Sequence, residues 1–271
     1  LLMTACLAFL LAAGARRWPG VLCSCVGLGL ALGLAALTRS IAWPFLLLLA
    51  PTLLFVLRGS WLVRLSAPIV MLLGFAIVVG PWAVRNTTLQ GVPVLVDTMG
   101  GMNLYMGNYE HTPLNRAWDA IRLRGDKFWA VKMHEARPEA RYWSEGQREA
   151  WAKGAAVEFM KANPGLTLHR SLIKFANFWG LEREILAGFQ RGHYNAPMVL
   201  VGLFLAASVI FYVGVCVTGV AGFVLEGRSA AALTVFTVVL GLTVVGIHTL
   251  VFGHSRYHLP LVPFMCLYGG A

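Results

Sequence analysis

Hydrophobic residues form seven long runs along this chain, separated by short polar connections and by one long polar segment. The runs cover residues 1–14, 21–37, 41–57, 65–82, 197–225, 230–252 and 259–271. A helix of about 20 residues crosses the hydrocarbon core of a bilayer, because each residue adds ~1.5 Å. The complete runs are near that length. The pattern therefore predicts a mainly α, polytopic bundle of about seven membrane spans, with the first and last truncated.

Composition agrees with a membrane protein. Hydrophobic residues make up 58% of the chain and charged residues 13%, against about a quarter charged in soluble domains. These values exclude a disordered chain, a disulfide scaffold and an ordinary cytosolic enzyme. The five cysteines all lie in apolar runs, so they indicate no disulfide framework or zinc site. Because the chain starts and stops inside apolar runs, we expect it to be part of a longer protein.

The long polar segment, residues 83–196, is predicted to be a separate small domain between spans four and five. From Val84 onwards it holds 15 of the 22 Lys and Arg residues and 11 of the 12 acidic residues. The sequence from Val94 to Thr98 is typical of a short strand, and Ser144 to Gln147 forms a capping box that opens a helix. We therefore expect an α/β domain, with four membrane helices in 1–82 and three in 197–271.

A second helix of this domain is predicted to start near Thr167. Leu168, Leu172 and Phe175 fall on one face of it, and the charged residues fall elsewhere. Two placements of this helix stay open. Either it lies on the membrane surface, or it packs its apolar face on its own domain.

Basic residues on the short connections orient the bundle. One side of it holds five such arginines, namely Arg16, Arg17, Arg58, Arg64 and Arg228. By the positive-inside rule that side faces the cytoplasm, so the polar domain faces outward. The Ala/Gly/Arg-rich and Lys-poor spans suggest a bacterial inner membrane. No basic patch with interleaved aromatic residues indicates nucleic acid as a partner.

Polar residues at the outward ends of the spans are the candidate binding residues. Arg39 follows the second span, Arg85 and Asn86 follow the fourth, and the run from His254 to His258 precedes the seventh. Arginine suits a phosphate or pyrophosphate ligand because guanidinium makes paired hydrogen bonds to its oxygens. The alternative is an interfacial arginine that only anchors a helix end. His254 and His258 are spaced as metal ligands could be, but no third ligand supports a metal site.

The segment from Gly100 to Asn108 is predicted to be a loop. Its glycines permit a close backbone approach to a ligand, and the amides of Asn103 and Asn108 suit sugar hydroxyls. It lacks the spacing of a nucleotide-binding fingerprint. An ordinary Gly/Asn turn is the alternative.

Three short motifs, in this order, carry a resemblance to a known family. They are Pro81-Trp-Ala-Val-Arg85-Asn86, Gly100-Gly-Met-Asn103-Leu-Tyr-Met-Gly-Asn108 and Ser255-Arg256-Tyr257-His258-Leu-Pro-Leu-Val-Pro263. Their order and their positions relative to the spans resemble bacterial GT-C fold glycosyltransferases of family 39, the protein-mannosyltransferase and aminoarabinose-transferase superfamily. The resemblance runs from Leu30 to the end of the chain.

The resemblance implies a reaction. A sugar moves from a polyprenyl-phosphate carrier to an acceptor on the outer membrane face, with inversion at the anomeric carbon. A carboxylate, usually Asp in the first outer loop, acts as general base, and basic residues hold the lipid phosphate. Arg39 and Arg256 match the second role by side and chemistry. Our candidate substrate-binding set is Arg39, Arg85, Asn86, Asn103, Asn108, Arg256, Tyr257 and His258.

We expect the general base upstream of Leu1, because no acidic residue precedes Asp97. The fragment itself is then inactive. We expect no cofactor, since the lipid-linked sugar is a substrate, and membrane lipid is a partner. The sugar stays open, and so does the acceptor: a glycan, a lipid such as lipid A, or a protein.

Two other functions remain open at this stage. One is a transporter or flippase of a lipid-linked saccharide, with the same arginines along its pathway. The transporter hypothesis expects broken half-helices paired between two halves of the chain. The other is a non-catalytic membrane scaffold, or a related polymerase or ligase of the same broad architecture, which an absent general base would favour.

Overall fold

The computed structural model describes residues 2–15, 20–57, 59–181, 188–189, 197–226 and 231–270, and within them all regular structure is helical. The α-helices are α1 Leu2–Ala15, α2 Gly20–Thr38, α3 Ala42–Val56, α4 Trp61–Gln90, α5 Gly100–Gly107, α6 Trp129–Ala136, α7 Glu145–Ala162, α8 Pro164–Phe178, α9 Met198–Glu226, α10 Ala231–Leu250 and α11 Val262–Gly269. Short 3₁₀ helices cover Ala117–Arg122, Gly125–Lys127, Pro138–Tyr142 and Ser255–Leu261. Each of the seven apolar runs forms a helix, so the prediction of a mainly α fold is confirmed.

Four helices have the length and apolar composition of membrane spans. They are α2, α4, α9 and α10, whereas α1 and α3 are shorter apolar helices. The chain is therefore a helical membrane protein by length and composition. Of the arginines that orient the bundle, Arg64 lies in α4, and Arg16, Arg17, Arg58 and Arg228 lie outside the described residues.

Helix α4 extends past the predicted end of its apolar run at residue 82. It continues to Gln90 because no residue after Pro81 breaks the helix until Gly91. Gly91 adopts a left-handed backbone with φ of 69°, and its N–H bonds the carbonyl of Thr87. This conformation is the usual helix end at glycine. Arg85 and Asn86 consequently lie on the same helix as the apolar span.

The membrane core is tightest where α2 meets α4. A Cβ atom on Gly29 would overlap the backbone carbonyl of Met71, and one on Gly74 would come within 2.7 Å of the carbonyl of Val26. Small residues at such a crossing let two helix backbones approach closely, which increases their dispersion contacts.

We expect Gly29→Ala to destabilise the bundle by roughly 1–3 kcal/mol, because the added methyl group collides with backbone that cannot rotate away. The measurement is the thermal midpoint of the purified protein in nanodiscs. Gly80→Ala is the matched control, since a Cβ there meets nothing within 4 Å. Equal midpoints for the two variants would show that α2 and α4 do not pack this closely.

The polar domain contains no strand anywhere in 83–181, so the prediction of an α/β domain is wrong for this described part. Val94 and Val96 do alternate inward and are buried, but no second extended segment pairs with them. Side chains of α4 bind the segment instead. The indole of Trp82 and the amide of Asn86 donate to the carbonyl of Val96 at 2.9 and 3.0 Å. The side chains of this segment do alternate as predicted, but the segment binds helix α4 and not a second strand.

The capping box at the start of α7 is confirmed, and it also joins the domain to α4. Ser144 Oγ accepts from the N–H of Gln147 and donates to the carbonyl of Gln90 at 2.7 Å. The side chain of Gln90 accepts from the N–H of Gly146 at 2.9 Å. Helix α8 begins at Pro164, three residues before the predicted start, because proline fits the first turn of a helix.

Candidate functional site

The 3₁₀ helix Ser255–Leu261 places Arg256 at the junction between the membrane helices and the domain. The guanidinium carbon of Arg256 lies 4.7 Å from the ring centroid of Trp118 and 5.4 Å from that of Tyr257. Among the described residues this exposed guanidinium has no hydrogen-bond or ion-pair partner. Aromatic faces hold the cation by cation–π attraction, and its N–H donors stay available for an anion.

A second predicted residue, Arg39, joins the same region through His248. The ring of Tyr257 stacks on that of His248, with centroids 3.9 Å apart and planes 6° apart. Arg39, which is exposed at the end of α2, interacts electrostatically with His248. His248 of α10 therefore lies against the Ser255–Leu261 helix, and the charge of Arg39 acts on it. We name Arg39, Trp118, His248, His254, Arg256, Tyr257 and His258 the polar cluster.

His258 occupies the buried side of the polar cluster. Its Nδ1 lies 2.8 Å from the carbonyl of Phe178. A carbonyl only accepts, so the Nδ1–H of His258 is the donor in this hydrogen bond. The ring of Trp179 is nearly parallel to that of His258, 8° apart, and the ring of Tyr212 lies 5.0 Å away. One hydrogen bond and two ring contacts thus fix the position of His258.

One cleft adjoins the polar cluster, and a second lies beyond Trp179. The first is a polar cleft lined by Arg116, Trp118, Asn177, Gly180, Leu181, Gly253, His254 and Ser255. Its volume of about 30 Å³ holds about one water molecule. The second is an apolar cleft of about 210 Å³ lined by Trp179, Gly219, Val220, Phe223, Thr237, Gly241, Val245, Leu261, Met265 and Tyr268. Trp179 lines this apolar cleft and also stacks on His258 of the polar cluster.

Arg85 and Asn86 make their polar contacts with each other and with the extended segment at Val96. Arg85 donates to Asn86 Oδ1 at 3.2 Å and lies over the ring of Trp82 at 5.1 Å. Asn86 in turn binds the carbonyl of Val96. These contacts give Asn86 a role in holding the extended segment, and they give Arg85 the surroundings of a helix-end anchor.

The predicted loop at Gly100 is the helix α5, which corrects that prediction. Its glycines serve helix packing, since a Cβ on Gly101 would overlap the backbone carbonyl of Glu149 in α7. Asn103 is half-buried on α5. Asn108 follows α5 and is 1% exposed, and its amide donates to the carbonyl of Leu250 at 2.7 Å. The structure therefore places Asn108 in the junction between the domain and α10.

Two buried cations of α8 were missed in the sequence. The ammonium of Lys174 donates to Asn108 Oδ1 and to the carbonyl of Leu250, both at 2.9 Å. The guanidinium of Arg170 donates to the carbonyls of Tyr109 and Thr112 at 3.0 and 2.9 Å. All four acceptors are neutral. The sequence did contain a signal for them. The two cations are four residues apart, so they share one face of α8, opposite its apolar stripe.

We expect the buried ammonium of Lys174 to make stability depend on pH. Desolvation, with a contribution from the nearby charge of Arg170, lowers the pKa of Lys174 to about 7. Between that value and the ordinary pKa near 10.5, the unfolded chain binds about one proton more than the folded chain, so stability rises with pH. The measurement is the unfolding midpoint at pH 6.5 and 8.5, compared with Lys174→Met.

Lys153→Met is the control for this comparison, because Lys153 is exposed on α7. The rise between pH 6.5 and 8.5 should be smaller in Lys174→Met than in the wild type and unchanged in Lys153→Met. If the full rise in the unfolding midpoint persists in Lys174→Met, groups other than Lys174 cause it.

Within the described residues, no group of three or more His, Cys, Asp or Glu side chains could hold a metal ion. The fold and the cluster together define a helical membrane protein with a helical domain inserted between its spans and a polar cluster at their junction. Comparisons with models of known protein families, with curated proteins and with solved structures find no match.

Proposed function

We propose that this chain is part of a membrane glycosyltransferase that moves a sugar from a polyprenyl-phosphate carrier to an acceptor, with inversion. The supporting observation is the guanidinium of Arg256, which is exposed over Trp118 and without a polar partner in the described part of the chain. A cation kept free beside aromatic rings suits a phosphate ligand with a sugar attached, because sugar faces pack on such rings while the phosphate binds the guanidinium.

The apolar cleft and the polar cluster bind different parts of the proposed donor. The lipid chain occupies the apolar cleft, whose lining is almost entirely hydrocarbon. Its phosphate reaches the polar cluster past Trp179, where Arg256 and Arg39 neutralise it. Negative charge grows on the phosphate as the bond to the sugar breaks, so fixed cations there stabilise the transition state. The proposal assigns no general base.

The proposed topology has seven crossings, by α1, α2, α3, α4, α9, α10 and α11. The domain then faces outward from a bacterial inner membrane. The acceptor reaches the polar cluster from the domain side, where the polar cleft at Trp118 is open to solvent.

The test is the release of polyprenyl phosphate, which does not require knowledge of the acceptor. Nanodiscs containing the full-length protein are supplied with a panel of polyprenyl-phosphate sugars and with membrane extract as a source of acceptors. We expect protein-dependent release from at least one donor. Absence of release across the panel would contradict the proposal. In sealed vesicles, movement of intact donor to the other leaflet without release would favour a flippase.

A further inference from the structure

Helix α8 turns three of its large apolar residues outward and its two cations inward. The exposed fractions are 64% for Leu168, 62% for Leu172 and 45% for Phe175, whereas Arg170 and Lys174 are buried. In a helix of a water-soluble domain, the apolar stripe faces the core and the charged residues face water. The arrangement in α8 is the reverse, so its outer face is not suited to water.

The orientation of α8 is fixed by the protein. Arg170 and Lys174 donate four hydrogen bonds to groups of the domain and of α10. A rotation that buried Leu172 would break these bonds and leave two cations without acceptors, which is costly. Gly253 also holds α8 in place, since a Cβ there would overlap the backbone of Lys174.

The depth of α8 is fixed by its contacts with two candidate spans. Lys174 binds the carbonyl of Leu250, which is the last residue of α10. The carbonyl of Trp179, just after α8, accepts from the hydroxyl of Tyr212 in α9 at 3.0 Å. Phe178 is completely buried in the same core as the membrane helices. Lys174 of α8 therefore lies level with the end of α10, where hydrocarbon meets headgroups, and the residue that follows α8 contacts α9 near its midpoint.

We propose that the exposed face of α8, formed by Leu168, Leu172 and Phe175, inserts into the surface of the bilayer that α9 and α10 cross. Lipid is the occupant because this face is continuous with the membrane bundle through Phe178 and lies level with the end of α10. The composition agrees, since α8 contains no acidic residue and His169 is its one ionisable residue on the exposed side. A helix of this kind is typical of interfacial membrane contacts. The proposal is independent of sugar transfer.

The first test places an environment-sensitive fluorophore on α8. The five native cysteines are replaced by alanine, a cysteine is introduced by Leu172→Cys, and the labelled protein is reconstituted at one copy per nanodisc. Phosphatidylcholine with a nitroxide high on its acyl chain serves as the quencher. We expect at least a threefold greater quenching than for the same label at Tyr142→Cys, a domain position that is 85% exposed.

Equal quenching at the two positions would overturn the proposal, because the face would then be in water or under another part of the protein. Protection from quenching that appears only with two copies per disc, together with equal quenching at one copy, would assign the face to a second copy and would also overturn it.

A second test uses the unmodified protein and therefore does not depend on the folding of a variant. Nanodiscs are prepared with phosphatidylcholine that has a photoactivated diazirine near its headgroup, and cross-linked peptides are mapped by mass spectrometry. We expect adducts in 164–178 and none in 145–162, the neighbouring helix α7. Adducts in the spans without any in 164–178 would contradict lipid contact by α8.

Discussion

Replacement of Arg256 by alanine is expected to lower the release of polyprenyl phosphate by roughly 10²-fold in kcat/KM. Arg256→Ala removes the guanidinium that the proposal places on the leaving phosphate, and loss of one such charged donor costs several kcal/mol in the transition state. The fold should survive, because the side chain is exposed and its contacts are the rings of Trp118 and Tyr257. The measurement is release in nanodiscs with the most active donor.

Two further variants separate charge from geometry. Arg256→Lys keeps the positive charge but loses the paired hydrogen bonds, so an intermediate loss of about tenfold is expected. Arg124→Ala is the matched control, since Arg124 is also exposed and lies 5.9 Å from the ring of Phe128, away from the polar cluster. If Arg256→Ala releases polyprenyl phosphate as fast as Arg124→Ala, Arg256 is not part of the site.

Replacement of Asn108 by leucine is expected to destabilise the junction by about 3 kcal/mol. Asn108→Leu removes an acceptor of the buried ammonium of Lys174. It also removes the hydrogen bond that the side-chain amide donates to the carbonyl of Leu250. An unpaired buried cation costs more than its lost hydrogen bond, because its desolvation is no longer offset. The thermal midpoint in nanodiscs should fall by roughly 5–10 °C.

The double variant Asn108→Leu with Lys174→Met should recover part of this loss. In the double variant both polar side chains are absent, so neither residue leaves a buried polar partner unsatisfied. The effects of the two substitutions are therefore not additive. We expect a coupling energy of at least ~1 kcal/mol. Asn103→Leu, a half-buried position on α5, the helix that Asn108 follows, is the control and should change stability by less than about 0.5 kcal/mol. Additive effects of Asn108→Leu and Lys174→Met would show that the two side chains do not interact.

Local pattern predicted the helices of the apolar runs and the helices α7 and α8, because helix periodicity and apolar length need no knowledge of partners. Each apolar run forms a helix, and the capping box at Ser144 starts α7. The same local rules failed at Val94, where alternation predicted a strand. A strand needs a neighbouring strand, and the folded chain supplies the side chains of α4 in its place.

Tertiary contacts decide which face of an amphipathic helix is buried, and local sequence rules do not predict those contacts. The sequence identifies the apolar stripe of α8, but only the acceptors from Tyr109 and Leu250 show that the cations face inward. Likewise, Gly101 permits helix packing where a ligand loop was expected. In the candidate site, the chemistry of Arg39 and Arg256 could be predicted, whereas Trp118, Trp179 and Tyr212 became visible only in the fold.

The most direct test of the central claim is the affinity of the purified protein for polyprenyl phosphate compared with the matching polyprenol. Both lipids have the same chain, so their difference isolates the phosphate. The proposed site predicts that the phosphate binds at least tenfold more tightly and that Arg256→Ala removes most of this difference. Equal affinities for phosphate and alcohol in the wild-type protein would contradict a phosphate site at the polar cluster.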